Sequence, residues 1–183
     1  ADVTGDIKIT TSVGNPLFSQ ATTNGKEAWI KLKSAGDVVI TSSAGSVASG
    51  IMQAGASSSK ILIDAQNIAI TNTSSDAVQV YDSDKYWNPD SPRAGETSVQ
   101  FTAAKDLTLT AKRWGFYQTR NFKDTSSDSS SSIKAGGAVT ISGDAGAIRV
   151  KAQTDLVTHH LTIDAPVVTL TSKGDGVTAS DNS

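Results

Sequence analysis

Two neighbouring histidines, His159 and His160, are the first candidates for chemistry, because histidine is the commonest metal ligand and acid–base group of proteins. Adjacent residues of a β-strand point to opposite faces, so this dipeptide predicts surface histidines rather than a two-histidine metal clamp. Cysteine is absent, which excludes thiolate metal sites, disulfides and thiol catalysis. We therefore expect neither a metal nor a cofactor.

Carboxylates form the second group of candidates. The stretch "DSDKYWNPD" (82–90) begins with an Asp-x-Asp pair that offers oxygen ligands to Ca²⁺, but it lacks the regular oxygen spacing and the glycine of a calcium loop. It is interpreted as a solvated acidic loop. Asp6, Asp37 and Asp106, with Asn67 at the aligned position, are predicted to bond local amides in turns.

One short strand pattern returns six times along the chain. The copies are "GDIKIT" (5–10), "GDVVIT" (36–41), "QNIAIT" (66–71), "KDLTLT" (105–110), "GAVTIS" (137–142) and "PVVTLT" (166–171). Their final residues are 29 to 39 positions apart, which is a spacing typical of solenoids, propellers and arrays.

Each repeat has room for three short strands and no segment has a helical period. A preceding strand is predicted at 29–33, 61–64, 99–102, 132–135 and 161–164, and a following strand at 16–20, 50–53, 77–81, 115–118, 147–150 and 176–179. A propeller blade needs four strands, and a sandwich would not repeat one motif at one interval. The sequence therefore predicts an all-β, right-handed parallel β-helix of about six coils, with 1–183 as a single domain.

The strand faces bear on catalysis, because polysaccharide-cleaving enzymes need paired carboxylates. The middle outward positions of the third strands are predicted to be Phe18, Met52, Gln79, Tyr117, Arg149 and Thr178. These, and the corresponding positions of the first and second strands, contain no carboxylate. We expect no enzyme activity; the alternative is a carbohydrate-active β-helix with its acids on loops, at Asp82, Asp84, Asp90 and Glu96.

Two long insertions, 82–97 and 119–132, follow the third strands of adjacent repeats, so they are expected to leave the same corner of the coil. Eight of the ten aromatic residues lie within 81–122, together with arginines, a combination that binds sugar rings or protein side chains. The candidate ligand-binding residues are Tyr86, Trp87, Arg93, Arg113, Trp114, Tyr117, Arg120 and Phe122. The other interpretation is that these aromatics only pin the loops to the solenoid.

The motifs "GDVVIT", "KDLTLT", "GGAVTISG" and "LTIDAPVVTLTS", with Ser/Thr-rich joins and no Cys, resemble the passenger domains of bacterial autotransporter adhesins and haemagglutinin-type repeats. The resemblance implies a secreted segment at the bacterial cell surface, anchored to the outer membrane by a part not in this chain. It implies a partner protein or glycan on host cells, matrix or other bacteria, with self-association between cells as a further option. A structural spacer is a third interpretation.

Charge and hydropathy argue against nucleic-acid binding and against a membrane-spanning segment. The chain has 183 residues and a net charge of −2, so it lacks the positive charge that general nucleic-acid binding requires. No apolar run approaches the length of a membrane span. The chain begins at Ala1, and we expect it to be processed or cut from a longer protein.

Overall fold

The computed structural model describes residues 1–21, 27–51, 57–82, 95–119, 129–152 and 159–181, and within these ranges every regular element is a β-strand. In chain order the strands are β1 (Asp2–Val3), β2 (Ile7–Thr11), β3 (Leu17–Ala21), β4 (Glu27–Ser34), β5 (Val38–Ser42), β6 (Val47–Ile51), β7 (Ser57–Ala65), β8 (Ile68–Asn72), β9 (Val78–Asp82), β10 (Gly95–Ala103), β11 (Leu107–Ala111), β12 (Trp114–Thr119), β13 (Ser129–Ala135), β14 (Ala138–Gly143), β15 (Gly146–Ala152), β16 (His159–Asp164), β17 (Val167–Ser172) and β18 (Asp175–Asp181).

The strands form three parallel six-stranded sheets, and each strand pairs with the strand three places further along the chain. Sheet A contains β1, β4, β7, β10, β13 and β16; sheet B contains β2, β5, β8, β11, β14 and β17; sheet C contains β3, β6, β9, β12, β15 and β18. Three strands make one coil, so the chain is a parallel β-solenoid of six coils. The predicted fold class is confirmed.

The register of sheet B follows the repeat in the sequence. Thr41 pairs with Thr10 on one side and with Thr71 on the other, and Thr110 continues the row to Ser142. Residues at alternate positions point inward, and the inward residues of the four middle coils are buried. They are Val38, Ile40, Ile68, Ile70, Leu107, Leu109, Val139 and Ile141. Burial of each such side chain contributes about 1.5–3 kcal/mol, and it requires the neighbouring coils.

The two end coils complete these aliphatic rows without being fully covered. Ile7 and Ile9 of the first coil are half-buried, whereas Val168 and Leu170 of the last coil are 44% and 39% exposed. All six pairs of inward residues in sheet B therefore lie in register, but burial falls at the ends because each end coil has a neighbour on one side only.

The third strand of the second coil lies earlier than predicted. The structure places β6 at Val47–Ile51 instead of 50–53, and Val47 pairs with Leu17 and Val78. Ala48 takes the outward position between Phe18 and Gln79 that was assigned to Met52, which lies outside the described residues. The prediction was wrong because it followed the stronger apolar pair Ile51–Met52 instead of the constant length of the coil.

The recurring acidic residues before the strands of sheet B bond between coils, which corrects the expectation of local turn bonds. The Asp37 amide donates to Oδ1 of Asp6 at 3.0 Å, and Nδ2 of Asn67 donates to Oδ1 of Asp37 at 2.8 Å. The Asp106 amide donates to Oδ1 of Asn67 at 3.1 Å, and the Ala138 amide donates to Oδ1 of Asp106 at 2.7 Å. We call these four side chains the Asp/Asn ladder; it ties five coils together.

The interior near the ends of the third strands is polar. Ser19, Ser49 and Ser59 are buried, and Oγ of Ser49 lies 3.0 Å from Oγ of Ser59. In later coils, Oγ1 of Thr97 lies 3.2 Å from Oγ of Ser129. These hydroxyls are satisfied by one another and by backbone carbonyls, as burial of polar groups requires.

The connections from sheet C to the next strand of sheet A are the variable part of the coil. Strands take up the edges of both predicted insertions, because β10 begins at Gly95 and β13 begins at Ser129. The remaining parts, 83–94 and 120–128, lie outside the described residues. In the described part of the chain, no helix is long or apolar enough to cross a membrane.

Candidate functional site

The outer face of sheet C groups aromatic and cationic side chains in the third to fifth coils. Tyr117 of β12 pairs with Gln79 of β9 and with Arg149 of β15. In the next outward row, Thr119 lies between Tyr81 and Lys151. Trp114 begins β12. We call this set the aromatic–cationic face; its members are Gln79, Tyr81, Trp114, Tyr117, Arg149 and Lys151.

Arg149 is the centre of this face. Its guanidinium carbon lies 5.4 Å from the centre of the Trp114 ring and 6.0 Å from the centre of the Tyr117 ring. A cation this close to an aromatic face gains about 0.5–2 kcal/mol. The two rings therefore hold the arginine against the sheet.

Trp114 is held by a hydrogen bond to the preceding coil and by packing on the following coil. Its amide donates a hydrogen bond to Oδ1 of Asp76 at 3.0 Å, and its register partner in the next coil is Gly146. A Cβ on Gly146 would lie 1.9 Å from the Trp114 ring, so the ring packs directly on the glycine backbone. Trp114 is 5% exposed, which makes it a support for Arg149 rather than an open platform.

Asp76 is the buried acid at the base of this arrangement. Its side chain is 1% exposed, and burial raises the pKa of its carboxyl above the usual value. The Trp114 amide and the nearby Arg113 guanidinium oppose that rise in the pKa. Burial also raises the pKa of the Tyr81 phenol, so Tyr81 stays protonated and presents a neutral hydroxyl at neutral pH.

Arg149 retains unused hydrogen-bonding capacity. Its Nε atom is buried and has no hydrogen-bond partner among the described residues. A buried donor on a charged group carries a desolvation cost until an acceptor reaches it. This atom and the half-exposed Tyr117 ring beside it leave interactions that a bound ligand can complete.

Three of the eight candidate ligand-binding residues can be located. Arg113 is exposed at the turn before β12, Trp114 lies beneath Arg149, and Tyr117 is half-exposed beside it. The other five, Tyr86, Trp87, Arg93, Arg120 and Phe122, lie outside the described residues.

Sequence reasoning missed Arg149, Lys151 and Tyr81 as site residues. The signal that finds them is the outward row itself. Arg149 was already aligned with Tyr117, and Lys151 and Tyr81 lie two positions further along their strands on the same face.

The outer face of sheet A carries carboxylates beside its middle positions. The middle outward positions contain none, as predicted, but flanking positions contain Asp64, Glu96 and Asp164. Nζ of Lys60 lies 3.0 Å from Glu96, and Nζ of Lys134 lies 3.2 Å from Asp164. Of the four proposed loop acids, Glu96 is thus an ion-paired strand residue and Asp82 ends β9, while Asp84 and Asp90 lie outside the described residues.

The histidines take the predicted positions on opposite faces of β16. His160 is exposed, and Nδ1 of the half-buried His159 lies 2.9 Å from Nε2 of Gln118. Among the described residues, no group of three or more His, Asp or Glu side chains is arranged to hold a metal ion.

Comparisons with protein-family models, with curated proteins and with solved structures find no match to this chain.

Proposed function

We propose that this chain is a non-catalytic segment of a bacterial surface adhesin, which attaches through the aromatic–cationic face to a protein or glycan on a host cell, on matrix or on another bacterium. In this proposal the segment is secreted and held at the outer membrane by a part that is not in this chain. The observation that carries it is the convergence of Tyr117, Arg149 and Trp114 on one outer face of a rigid solenoid.

The chemistry of the face supports binding. Aromatic rings, amides and cations stack on and hydrogen-bond to ligands without transferring protons, whereas glycoside cleavage needs two carboxyl groups across the bond. In the described parts of β9, β12 and β15, the outward side chains are Gln79, Tyr81, Tyr117, Thr119, Arg149 and Lys151. None of them is acidic.

The scaffold supports an adhesive role. Stacked coils give a stiff body whose outer faces repeat at about 4.8 Å per coil. The outer face of sheet B carries a row of hydroxyls from Thr10 through Thr110 to Thr171. Such a row provides many weak polar contacts, and pairing of two copies across it is the self-association that belongs to this proposal.

The experiment couples the chain to beads and measures their retention on layers of epithelial cells and of bacteria under flow. We expect retention well above that of blank beads, and a loss of about tenfold or more for the double variant Tyr81→Ala, Tyr117→Ala. Phe18→Ala is the matched control, because Phe18 is an exposed aromatic residue of the same sheet in the first coil. Its retention should equal that of the unmodified chain.

Retention no better than that of blank beads on every layer would reject the adhesin. A parallel assay measures the release of reducing ends from a panel of polysaccharides. Release by the chain would favour the carbohydrate-active enzyme instead. If the chain gave neither retention nor cleavage, a structural spacer would be left as the explanation.

A further inference from the structure

We propose that the aromatic–cationic face takes an acidic saccharide, whose carboxylate or sulfate pairs with Arg149 while a sugar ring lies against Tyr117. This inference rests on the proposed function, because it names the chemical class of the ligand that the adhesive face binds.

The charge of the face selects an anion. Arg149 and Lys151 are alternate residues of β15 and therefore point to the same side of sheet C, and neither has an ion-pair partner among the described residues. Acids lie at both ends of these strands: Asp76 precedes β9 and Asp175 begins β18, while Asp82 and Asp181 are the last residues of β9 and β18, at positions that alternate with the outward rows. Asp76 is buried against the Trp114 amide, and Asp175 is opposite Gly146. A net positive face on a chain of net charge −2 favours an acidic partner.

The geometry of Arg149 favours an oxyanion with two oxygens. A guanidinium donates two parallel hydrogen bonds to a carboxylate or a sulfate. Because its donors are fixed in a planar fork, this pairing loses less conformational entropy per hydrogen bond than pairing through a lysine ammonium. The rings of Trp114 and Tyr117, at 5.4 and 6.0 Å, fix the guanidinium before the ligand arrives. Its Nε is buried without a hydrogen-bond partner among the described residues, so that part of the protein leaves this group incompletely satisfied.

The neighbours of Arg149 favour a sugar over a nucleic acid. Tyr117 offers a half-exposed ring and Gln79, its register partner, offers an amide that both donates and accepts. Tyr81 adds a neutral hydroxyl. Two cations neutralise too few phosphates to hold a nucleic acid at physiological salt.

The test measures binding of the whole chain to immobilised polygalacturonate, dextran sulfate and neutral dextran, with single-stranded DNA as a fourth probe. We expect binding to either or both acidic polymers and little to dextran or DNA. Arg149→Gln should weaken the binding about tenfold or more, and Lys151→Gln should weaken it several-fold. Lys105→Gln, which removes the same charge from an exposed turn at the edge of sheet B, should leave it unchanged.

Thermal melting of each variant separates loss of ligand contact from loss of fold, because Arg149 packs on Trp114. If Arg149→Gln lowers the melting temperature, the Lys151→Gln variant and the comparison with neutral dextran still test whether the face binds an acidic saccharide. Equal affinity for acidic and neutral polymers, or DNA binding that depends on Arg149, would overturn the acidic saccharide. Beads that adhere to cells with undiminished strength in the Arg149→Gln variant would overturn this inference and leave the proposed function standing.

Discussion

The contact between Trp114 and Gly146 determines whether Arg149 is held in place. The indole packs on the glycine of the next coil, and the arginine lies against the indole. A side chain at position 146 would occupy the space that the ring now fills, since its Cβ would lie 1.9 Å from the ring. The position of Arg149 thus depends on a glycine that does not itself touch the arginine through a side chain.

We predict that Gly146→Ala destabilises the fold by about 1–3 kcal/mol, because the added methyl group forces the Trp114 ring out of its site. Urea unfolding followed by tryptophan fluorescence measures the change, and the fluorescence of the folded variant should report a more solvated indole. Gly176→Ala is the control, because nothing lies within 4 Å of a Cβ at that position. Equal effects of the two substitutions would contradict this account of Trp114.

At the scale of the element, the Asp/Asn ladder connects coils that are far apart in sequence. Asn67 is its one amide among three carboxylates, and it alone both donates from its side chain to Asp37 and accepts from the Asp106 amide. An acid at this position could accept but could not donate. Four carboxylates would then lie in a line, about 4.8 Å apart.

We predict that Asn67→Asp destabilises the chain by about 1–3 kcal/mol at pH 7 and by much less at pH 3. Repulsion from Asp37 raises the pKa of the new carboxyl, so the cost appears as pH rises through the carboxyl range and disappears when the groups are protonated. Asn67→Ala loses both hydrogen bonds at every pH and serves as the comparison. Identical, pH-independent losses for both variants in thermal melts would contradict the role of the amide.

Sequence patterns predict the elements of this fold unevenly. The register of the second strands could be predicted to the residue, because two apolar side chains and a final Thr or Ser recur in each, although every strand continues one residue beyond the predicted end. The first strands extend further than predicted, since inward Ser59, Thr97 and Ser129 break the apolar alternation. Only Trp114 and Tyr117 of the aromatic–cationic face were predicted as site residues, because a row of side chains across coils is recognised only after the strands have been aligned.

At the scale of the whole molecule, stability is distributed along the axis of the solenoid. Each coil is buried by the coils above and below it, so the same residue type has a different environment in the middle and at an end. Leu109 and Leu170 occupy the same inward row of sheet B, yet Leu109 is 0% and Leu170 is 39% exposed.

We predict that Leu109→Ala costs about 2–5 kcal/mol of unfolding free energy, and that Leu170→Ala costs about 1 kcal/mol or less, because only the first leaves a closed cavity. Urea unfolding followed by far-UV circular dichroism measures both. The pair is its own control, since residue type, strand position and substitution are the same. Similar losses would mean that the last coil is covered in solution, by a second copy or by association of the ends.

The variable connections all leave the solenoid between sheet C and sheet A. The connection between Ala21 and Glu27 is short and the one between Asp82 and Gly95 is long, yet the strands that follow pair in the same way. Register is therefore independent of what is inserted there. These segments can be lengthened, shortened or exchanged in evolution while the pairing of the strands stays the same. For the protein engineer, the same corner is an acceptor site for foreign peptides.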